Sequence, residues 1–565
     1  MGLKIRLLFV SLILFLLFIG LGYRLCMIQI FSHDKLNKIA RKSSSIKESR
    51  TTPKRGEILD SNGEVLAVNK HTYSVGFNPR YFERNWRVER DIASNINIGR
   101  NRLKRKIKEA DQFIWIKKHV EPEKANKIFK YKKNGLVIVR ENYRLYPKSP
   151  LASHVIGCVG IDNQGLSGIE FNFDSQLRDS IRIRKMLRDA RGEIISFSMD
   201  RENVDREISN IQLSIDSNIQ YIVENELKKG LDKYKANWGM AIVQDPHNGE
   251  ILGMAVQSSY DNGGGAHSNV KKLKNFAVSN IFEPGSTFKI VTAAAAMEEG
   301  IVGVEEKIDC ENGEYEIGGF PIRDFEPHGR MSFIDCMVYS SNIGLAKVGE
   351  KTGRNILYKY ARNFGFGNFS GIRLPGETRG ILRKPDRWSG TSLSRISFGQ
   401  EVGVTGVQLV SAFSVIANGG ILYEPRIVKK IWTDSKQRGL KPLPIRRVIS
   451  KSTAVQLKDI LKEVVKRGSG DQAYIKGYPV AGKTGTAQKF NPETFCYAED
   501  KYVSLFGGFV PADDPEVTIL VVYDEPECKS YWGGYVAAPV FSNIAKGCLN
   551  YMGVAPNIRE SEYEN

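Results

Sequence analysis

The chain has 565 residues, of which 26% are charged and 41% are hydrophobic, and its formal net charge at pH 7 is +19. This length excludes one ordinary domain, and the composition is that of a globular protein able to bury a sizeable core. The basic excess predicts a polyanionic neighbour, which can be nucleic acid, anionic lipid or an acidic polymer.

The N-terminus predicts a membrane anchor. Residues 7–23 read LLFVSLILFLLFIGLGY without a charge, and a helix of this length is about 25 Å long, the low end of a membrane span. Apolar residues resume after Arg24, so we assign the anchor and its juxtamembrane segment to 7–31, after a cytoplasmic stub at 1–6. The alternative is a cleaved signal peptide, but the small residues at 20–22 form a weak cleavage site. Because a long domain translocates largely regardless of its charge, the bulk of the chain is expected outside the cytoplasm.

After a polar linker, residues from about 55 to 205 are strongly basic and mix short strand-like and helix-like runs without a catalytic constellation. Their densest basic run, RNRLKRKIK at 100–108, is interpreted as the solvated face of a helix. No helix-turn-helix, zinc-finger or RNP-like pattern accompanies it, so we expect no nucleic-acid partner. His154 is interpreted as a structural hydrogen-bonding residue.

The pattern changes near residue 206. A strand is predicted at 211–216, followed by a helix with Ser217 as candidate cap. Further strands and helices follow, in the order 239–246 (strand), 250–258 (strand), about 286–299, 332–352, 405–418 and 452–467 (helices), 480–488, 502–510 and 517–523 (strands) and 538–552 (helix). Strands thus come from both ends and helices from the middle. This order predicts an α+β fold with one mostly antiparallel sheet, an inserted helical lobe and a site in the seam between them.

The seven cysteines show no CxxC pair and no metal-ligand spacing with histidine, so no metal site is predicted. One disulfide is kept as a hypothesis, because Cys496 and Cys528 flank two strand-like runs that a turn at 511–515 would join into a hairpin. Cys26 belongs to the anchor, and the other cysteines are interpreted as buried thiols.

Ser286 and Lys289 lie in the stretch EPGSTFKI, just after a Pro-Gly pair and before an apolar run. A spacing of three places both side chains on one face of a helix, across one turn. Burial and the positive end of the helix dipole both disfavour a charged lysine, so Lys289 can be partly neutral and accept the serine proton. Alone, this common spacing favours the alternative of a capping serine and a surface lysine.

Two further motifs reverse that preference. Ser340-x-Asn342 lies in a predicted helical segment, and Lys483-Thr484-Gly485 lies on a predicted strand. The order Ser-x-x-Lys, Ser-x-Asn, Lys-Thr-Gly resembles that of the penicillin-binding proteins and the serine β-lactamases.

Longer stretches resemble the class B penicillin-binding proteins, which are monofunctional peptidoglycan transpeptidases. The resemblance runs from the anchor to about residue 550 and includes RGEILDSNGEVLA, RLYPKSPLASHVIGCVG, GLSGIEFNFD, FEPGSTFKI, SFGQEVGVTGVQL, VAGKTGTAQ and YWGGYVAAPVF. The last two stretches and GFVPADDPEVTILVVYDEP look more like the division-type (FtsI-like) enzymes than the elongation type, which stays an alternative.

This resemblance implies a multi-domain α+β architecture. An elongated, dimerisation-like pedestal at 32–205 would precede a transpeptidase domain at 206–552 and a C-terminal tail at 553–565. The transpeptidase domain would contain a mostly antiparallel five-stranded sheet flanked by helices. The protein would cross the bacterial inner membrane once, with its catalytic domain in the periplasm or otherwise outside the cytoplasm.

The resemblance also implies roles for individual residues. Ser286 would attack the D-Ala-D-Ala bond of a stem peptide and form an acyl-enzyme, with Lys289 as general base. Ser340 would relay a proton to the leaving nitrogen, and Asn342 would bind the substrate amide and hold Lys289. Lys483 would add positive charge beside Lys289 and lower its pKa further.

Strand residues complete the implied site. The backbone N–H groups of Ser286 and Thr486 would form the oxyanion hole. Thr484, Gly485 and Thr486 would bind substrate, the two hydroxyls holding its terminal carboxylate and the glycine leaving room for the peptide. No metal or cofactor is implied.

The implied partners are peptidoglycan stem peptides, as D-Ala-D-Ala donor and as amine acceptor, and β-lactams as covalent inhibitors. A SEDS-family glycan polymerase and other division proteins are implied by the family. No dedicated deacylating glutamate is recognisable, so the β-lactam adduct is expected to be long-lived. The alternatives are a membrane-anchored β-lactam sensor, a β-lactamase or a non-catalytic divisome scaffold.

Overall fold

The computed structural model describes the following ranges of the chain: 2–34, 47–50, 53–77, 85–110, 113–179, 183–188, 194–199, 207–258, 274–491, 496–528 and 530–556. It divides into two compact units. The first comprises Met1–Lys54, His71–Tyr143 and Asp179–Arg206, and the second comprises Arg55–Lys70, Arg144–Arg178 and Glu207–Asn565. Two segments of the predicted pedestal, 55–70 and 144–178, are therefore grouped with the C-terminal region.

The N-terminal helix α1 spans Gly2–Cys26 and continues as a short π-helix, Met27–Phe31. Its apolar part, Leu7–Phe31, has 25 residues with a mean hydropathy of 2.3, and none of it is buried. Among the described residues, this is the one helix long and apolar enough to cross a membrane. A fully exposed apolar helix of this length is the form expected of an anchor.

The remainder of the first unit is a small α+β body. One sheet is antiparallel and has the strand order Lys47–Arg50, Ile183–Arg188, Ile194–Met199. In another, residues 71–77, the second part of strand Val65–Phe77, pair with strand Ile114–Val120, and strand Leu136–Leu145 also pairs with strand Val65–Phe77. The helices of this unit are Trp86–Asn95, Arg100–Glu109 and Pro122–Ile128.

Helix Arg100–Glu109 contains the basic run noted in the sequence. Leu103 and Ile107 are buried in the core of this unit, while most of the basic side chains between them are exposed. This spacing of four leaves one apolar stripe on an otherwise charged helix. The interpretation as a solvated helix face is confirmed.

Three sequence stretches that carried the family resemblance meet in the second unit around Glu170. Its carboxylate binds two buried guanidinium groups, Arg55 Nη2 at 2.8 Å and Arg144 Nε at 2.6 Å, and all three side chains are at most 1% exposed. Buried charges are tolerated only when they are paired and hydrogen-bonded. The cluster therefore joins segments 55–70 and 144–178 to each other.

The core of the second unit is a five-stranded sheet. Its strands are β1 (Trp238–Gln244), β2 (Ile251–Ser258), β3 (Ala481–Asn491), β4 (Cys496–Val510) and β5 (Val517–Asp524). They are ordered β2-β1-β5-β4-β3 and every neighbouring pair is antiparallel. The predicted sheet, assembled from both ends of the region, is confirmed.

Both faces of this sheet are covered. Val521 packs into a core with helix Ser217–Tyr234 and the C-terminal helix Gly533–Met552, whereas its neighbour Val522 packs into the larger core with helix Gly406–Ala417. Successive strand residues point to opposite faces, so an all-apolar strand such as β5 is buried on both sides.

The helices that carry the site are α2 (Lys289–Glu298), α3 (Phe333–Val338), α4 (Asn342–Thr352) and α5 (Gly533–Met552). The other helices of this unit are Ser153–Ile156, Gly168–Asn172, Asp174–Leu177, Ser217–Tyr234, Phe276–Ser279, Arg354–Asn363, Ser392–Ser397, Gly406–Ala417 and Lys451–Arg467. Its remaining strands are Ile58–Leu59, Asn210–Leu213, Val428–Trp432, Gln437–Gly439, Lys307–Asp309, Arg330–Ser332, Glu314–Ile317, Phe320–Arg323, Ile421–Tyr423 and Pro444–Arg447.

Two local predictions are wrong. The cap of helix Ser217–Tyr234 is Asp216, whose carboxylate accepts from two backbone N–H groups, and Ser217 is already helical. The predicted helix 332–352 is broken into α3 and α4, because Ser340 between them adopts a left-handed backbone with φ of 63°.

The hypothesised disulfide between Cys496 and Cys528 is also wrong, since both thiols are free. The predicted hairpin does form, as β4 and β5. However, Cys496 pairs with β3, whereas beyond Glu525 the chain leaves the sheet and the Glu527 N–H donates to the Tyr234 carbonyl. The two cysteines therefore lie on diverging segments.

Candidate active site

Ser286 lies in a turn that is pressed against the edge strand of the sheet. Residues Gly285–Phe288 form one 3-10 turn that leads directly into α2. Gly285 has φ of +51°, and a Cβ there would lie 3.1 Å from the Thr486 carbonyl oxygen on β3. A glycine is therefore needed both for the backbone conformation and for the close approach. The turn leaves Ser286 half-buried and Lys289 fully buried.

Lys289 begins α2 and connects to the second motif through its ammonium group. Its Nζ donates to the Ser340 carbonyl at 2.6 Å, to the Ser340 hydroxyl at 3.2 Å and to Asn342 Oδ1 at 2.8 Å. Burial lowers the pKa of Lys289 to about 7. A substantial fraction of Lys289 is thus neutral at neutral pH and able to accept a proton.

Ser340 is the point at which two lysines meet. Its hydroxyl also accepts from Lys483 Nζ at 2.8 Å. Lys483 is fully buried, and burial followed by the charge of Lys289 holds its pKa well below the ordinary value. Because two buried ammonium groups so close together repel each other, the pair favours a state with one of them neutral.

The left-handed backbone of Ser340 is what turns its side chain toward both lysines. Such a conformation is uncommon outside glycine and is concentrated at functional sites. The sequence predicted one continuous helix through Ser340, whereas in the structure the helix ends before Ser340 and a new one begins after it. The break between α3 and α4 is therefore a feature of the site rather than an irregularity.

Asp324 organises the start of α4 and was missed in the sequence. Its carboxylate accepts from the backbone N–H of Asn342 at 2.5 Å and of Ile343 at 3.1 Å, and it also binds the Ser341 hydroxyl. The Asn342 side chain donates to the neighbouring Arg323 carbonyl at 2.9 Å. A carboxylate at a helix N-terminus is favourable, but no spacing in the sequence connects residue 324 with this motif.

Replacing Asp324 with asparagine should remove the negative charge of this side chain and keep its shape. The negative charge of Asp324 raises the pKa of Lys289, whereas an asparagine oxygen can still accept from the α4 backbone. We expect the acid limb of acylation by a penicillin to move to lower pH in Asp324→Asn, measured as rate constants between pH 5 and 9. Asp324→Ala, which loses the cap as well, should in addition lose about 1 kcal/mol of stability. An unshifted limb in Asp324→Asn would show that Asp324 does not act on Lys289.

Strand β3 contributes the third motif. The Thr484 hydroxyl lies 2.7 Å from the Ser469 hydroxyl and 3.4 Å from Lys483 Nζ. The Thr486 hydroxyl accepts from the Gly533 N–H at 3.0 Å, at the start of α5. Both hydroxyls are thus held in place by neighbouring segments.

The structure gives Gly485 a packing role. A Cβ at Gly485 would lie 2.7 Å from Leu505 Cγ, 2.9 Å from the Pro284 carbonyl and 3.0 Å from Thr287 Cγ2. The missing side chain therefore lets the Ser286 turn pack against β3, and the room it leaves for the peptide stays a prediction. Gly285 in the Ser286 turn and Gly485 on β3 thus lie on the two sides of one close contact between these segments.

The structure thus joins Lys289, Ser340, Asn342 and Lys483 in one hydrogen-bonded network. Ser286 is half-buried, and its hydroxyl makes no hydrogen bond to this network or to any other described residue. Within the described ranges, no group of three or more His, Cys, Asp or Glu side chains could hold a metal ion. The chemistry of such a site is proton transfer to and from a serine.

Models of known families match most of the chain. The penicillin-binding protein transpeptidase domain matches residues 239–546, and the penicillin-binding protein dimerisation domain matches residues 50–206. The chain belongs to the class B penicillin-binding proteins. The α+β fold implied by the resemblance is confirmed as well.

Three relatives illustrate the similarity. The chain is 35% identical over 567 residues to stage V sporulation protein D of Bacillus subtilis, covering 99% of this chain and 87% of that protein. It is 30% identical over 546 residues to the peptidoglycan D,D-transpeptidase FtsI of Escherichia coli, covering 94% and 90%. A crystal structure of penicillin-binding protein 3 from Mycobacterium tuberculosis, complexed with aztreonam, matches with a TM-score of 0.69 at 27% identity, covering 90% of this chain and 98% of that one.

Proposed function

We propose that this penicillin-binding protein is a peptidoglycan D,D-transpeptidase that cross-links stem peptides through an acyl-enzyme on Ser286. The observation that carries the proposal is the buried Lys289, which has a pKa of about 7 and lies three residues from Ser286. The similarity to the peptidoglycan D,D-transpeptidase FtsI of E. coli and to the M. tuberculosis protein that binds aztreonam supports it.

Acylation begins with proton transfer from the Ser286 hydroxyl to neutral Lys289. The serine oxygen then bonds to the carbonyl carbon of the penultimate D-Ala, and backbone N–H groups of Ser286 and Thr486 stabilise the oxyanion. One such donor lowers the barrier by roughly 3–4 kcal/mol. The Ser340 hydroxyl, which touches Lys289 and Lys483, passes a proton to the leaving nitrogen as the C–N bond breaks and D-alanine departs.

Substrate binding is assigned to Asn342 at the start of α4 and to the residues of strand β3. Asn342 holds Lys289 and can accept from a substrate amide, and the hydroxyls of Thr484 and Thr486 bind the terminal carboxylate. Gly485 offers only its backbone on β3. Deacylation reverses the first step, because the amine of a neighbouring stem peptide attacks the ester and Ser286 regains its proton. A β-lactam forms the same ester with Ser286, but its leaving nitrogen stays attached to the acyl group and does not depart.

The location of the protein is part of the proposal. Helix α1 would cross the cytoplasmic membrane once, with the second unit on the outer side, where peptidoglycan lies. The predicted pedestal at 32–205 would then serve as a spacer and a docking body for a SEDS-family polymerase and other division proteins. Residues 206–552 would carry the chemistry.

Two cellular roles fit the relatives. Similarity to FtsI supports cross-linking at the division septum, whereas similarity to stage V sporulation protein D over nearly the whole chain supports cross-linking during sporulation. Depletion in growing cells distinguishes the two roles. A block in septation supports the first, and normal division with defective spores supports the second.

The biochemical proposal is tested by reacting the full-length protein with fluorescent penicillin. We expect one adduct per chain, located on Ser286 by peptide mapping, and persisting for many minutes because no dedicated deacylating group is proposed. An adduct on another residue would overturn the assignment of the nucleophile. Rapid turnover of the penicillin would favour a β-lactamase instead.

A further inference from the structure

Two cysteines that the reaction does not use lie directly behind the active site. Cys310 follows strand Lys307–Asp309, and Cys336 belongs to α3. Their sulfur atoms are 3.7 Å apart, and both residues are fully buried. The two cysteines are 26 residues apart in the sequence, so their contact is a tertiary one.

The pair is connected to the segment between α3 and α4 by two contacts of Ser341. The Ser341 backbone N–H donates to the Cys336 carbonyl at 2.8 Å, and its hydroxyl lies 3.4 Å from Cys310 Sγ. Ser341 follows Ser340, whose left-handed backbone aims its hydroxyl at Lys289 and Lys483. A movement of the Cys310 sulfur or of the Cys336 backbone is therefore transmitted through Ser341 to Ser340, the residue whose hydroxyl contacts both lysines.

The two thiols differ in acidity. A hydrogen bond from Cys336 lowers the pKa of Cys310 to about 7, against the opposing effect of burial. The same hydrogen bond and burial raise the pKa of Cys336 well above its ordinary value. One sulfur is thus prepared to act as a thiolate and the other to keep the proton, which is the asymmetry of a dithiol that undergoes exchange.

We propose that Cys310 and Cys336 are a redox-active dithiol whose oxidation to a disulfide slows acylation of Ser286. The oxidant is a disulfide, either of a thiol–disulfide oxidoreductase or of a small thiol such as glutathione. The Cys310 thiolate attacks one of its sulfurs and displaces one thiol. Cys336 loses its proton, attacks the mixed disulfide and displaces the second thiol. Two electrons and two protons pass from the protein to the oxidant, and reduction reverses these steps.

The effect on the site follows from the distances. A disulfide bond is about 2.05 Å long, so the sulfurs must approach each other by more than 1 Å from their 3.7 Å contact. This approach moves Cys310 Sγ relative to the Ser341 hydroxyl, which lies 3.4 Å from it. A misplacement of about 1 Å in an active site can cost about a hundredfold in rate.

Access to the pair needs only a local opening. Strand Lys307–Asp309 pairs with Arg330–Ser332 over three residues, and its first and last side chains are exposed. Such a short ribbon opens at far lower cost than the core sheet. The location outside the cytoplasm, which belongs to the proposed function, would expose the dithiol to oxidising conditions.

The test uses the full-length protein in detergent, equilibrated with oxidised glutathione or with dithiothreitol. Oxidation should produce a Cys310–Cys336 link in peptide maps, and the oxidised protein should be acylated by fluorescent penicillin at least tenfold more slowly. Dithiothreitol should restore the rate. The variant Cys310→Ser/Cys336→Ser should show one rate in both buffers. Cys548→Ala, which removes a buried cysteine of α5, should respond like the wild type.

The wild-type comparison needs no variant and decides the question even if the double variant folds poorly. Absence of the link after equilibration, or a linked protein acylated at the reduced rate, would overturn the proposal. So would slowing by oxidised glutathione in a folded double variant. The effect on rate rests on the proposed function. Failure of the reduced protein to be acylated at all would count against Ser286, whereas peptide mapping of the link tests the dithiol independently.

Discussion

Replacing Ser286 with alanine should abolish covalent labelling by penicillin. The serine oxygen is the atom that forms the ester, and Ser286 lies in the 3-10 turn that leads into α2. Removing a nucleophile that acts with its base typically lowers the rate by four or more orders of magnitude. The measurement is fluorescence of the protein band after denaturation, together with the intact mass.

A matched control is Ser279→Ala. Ser279 is also half-buried and lies at the end of a short helix, where its hydroxyl donates to the Asn275 carbonyl. This variant should be labelled like the wild type. Both variants should melt near the wild-type temperature. Labelling of a folded Ser286→Ala protein, with the adduct mapped to another residue, would contradict the proposed mechanism.

The residues of the site that were found from the sequence are those with a local signature. Ser286 and Lys289 share one turn, but their spacing alone favoured a capping serine and a surface lysine, and the order of the three motifs was needed to identify them and Lys483. The resemblance then placed the three motifs in one site, and the hydrogen bonds between Lys289, Ser340 and Lys483 agree with that placement.

The parts that were missed depend on tertiary contacts or on single backbone angles. Asp324 reaches α4 from a separate ribbon, 18 residues before Asn342. Cys310 and Cys336 show no spacing typical of paired cysteines. The left-handed Ser340 interrupts a run with good helical periodicity, because the lysines around its hydroxyl stabilise a conformation that local propensity disfavours. Local sequence patterns indicate neither these tertiary contacts nor the backbone angle of Ser340.

The second prediction concerns the pH dependence of acylation. Neutral Lys289 is the proposed base, and its pKa is about 7. Below that pH the lysine is protonated, so the rate should fall about tenfold per pH unit; above it the rate should reach a plateau. Rate constants for acylation by penicillin between pH 5 and 9 measure this limb.

Lys289→Met keeps an unbranched side chain of similar size but cannot accept a proton. It should lower the plateau rate by about 10²–10⁴ and remove the limb near pH 7. The stability of this variant should rise, although its rate of acylation falls. Between pH 7 and the ordinary lysine pKa of 10.5, the unfolded chain binds a proton that the folded one does not, so folding is penalised increasingly as pH falls through this window. Methionine removes that penalty, and the variant should melt at a higher temperature at pH 7. A variant that keeps both the acid limb and the wild-type rate would exclude Lys289 as the base.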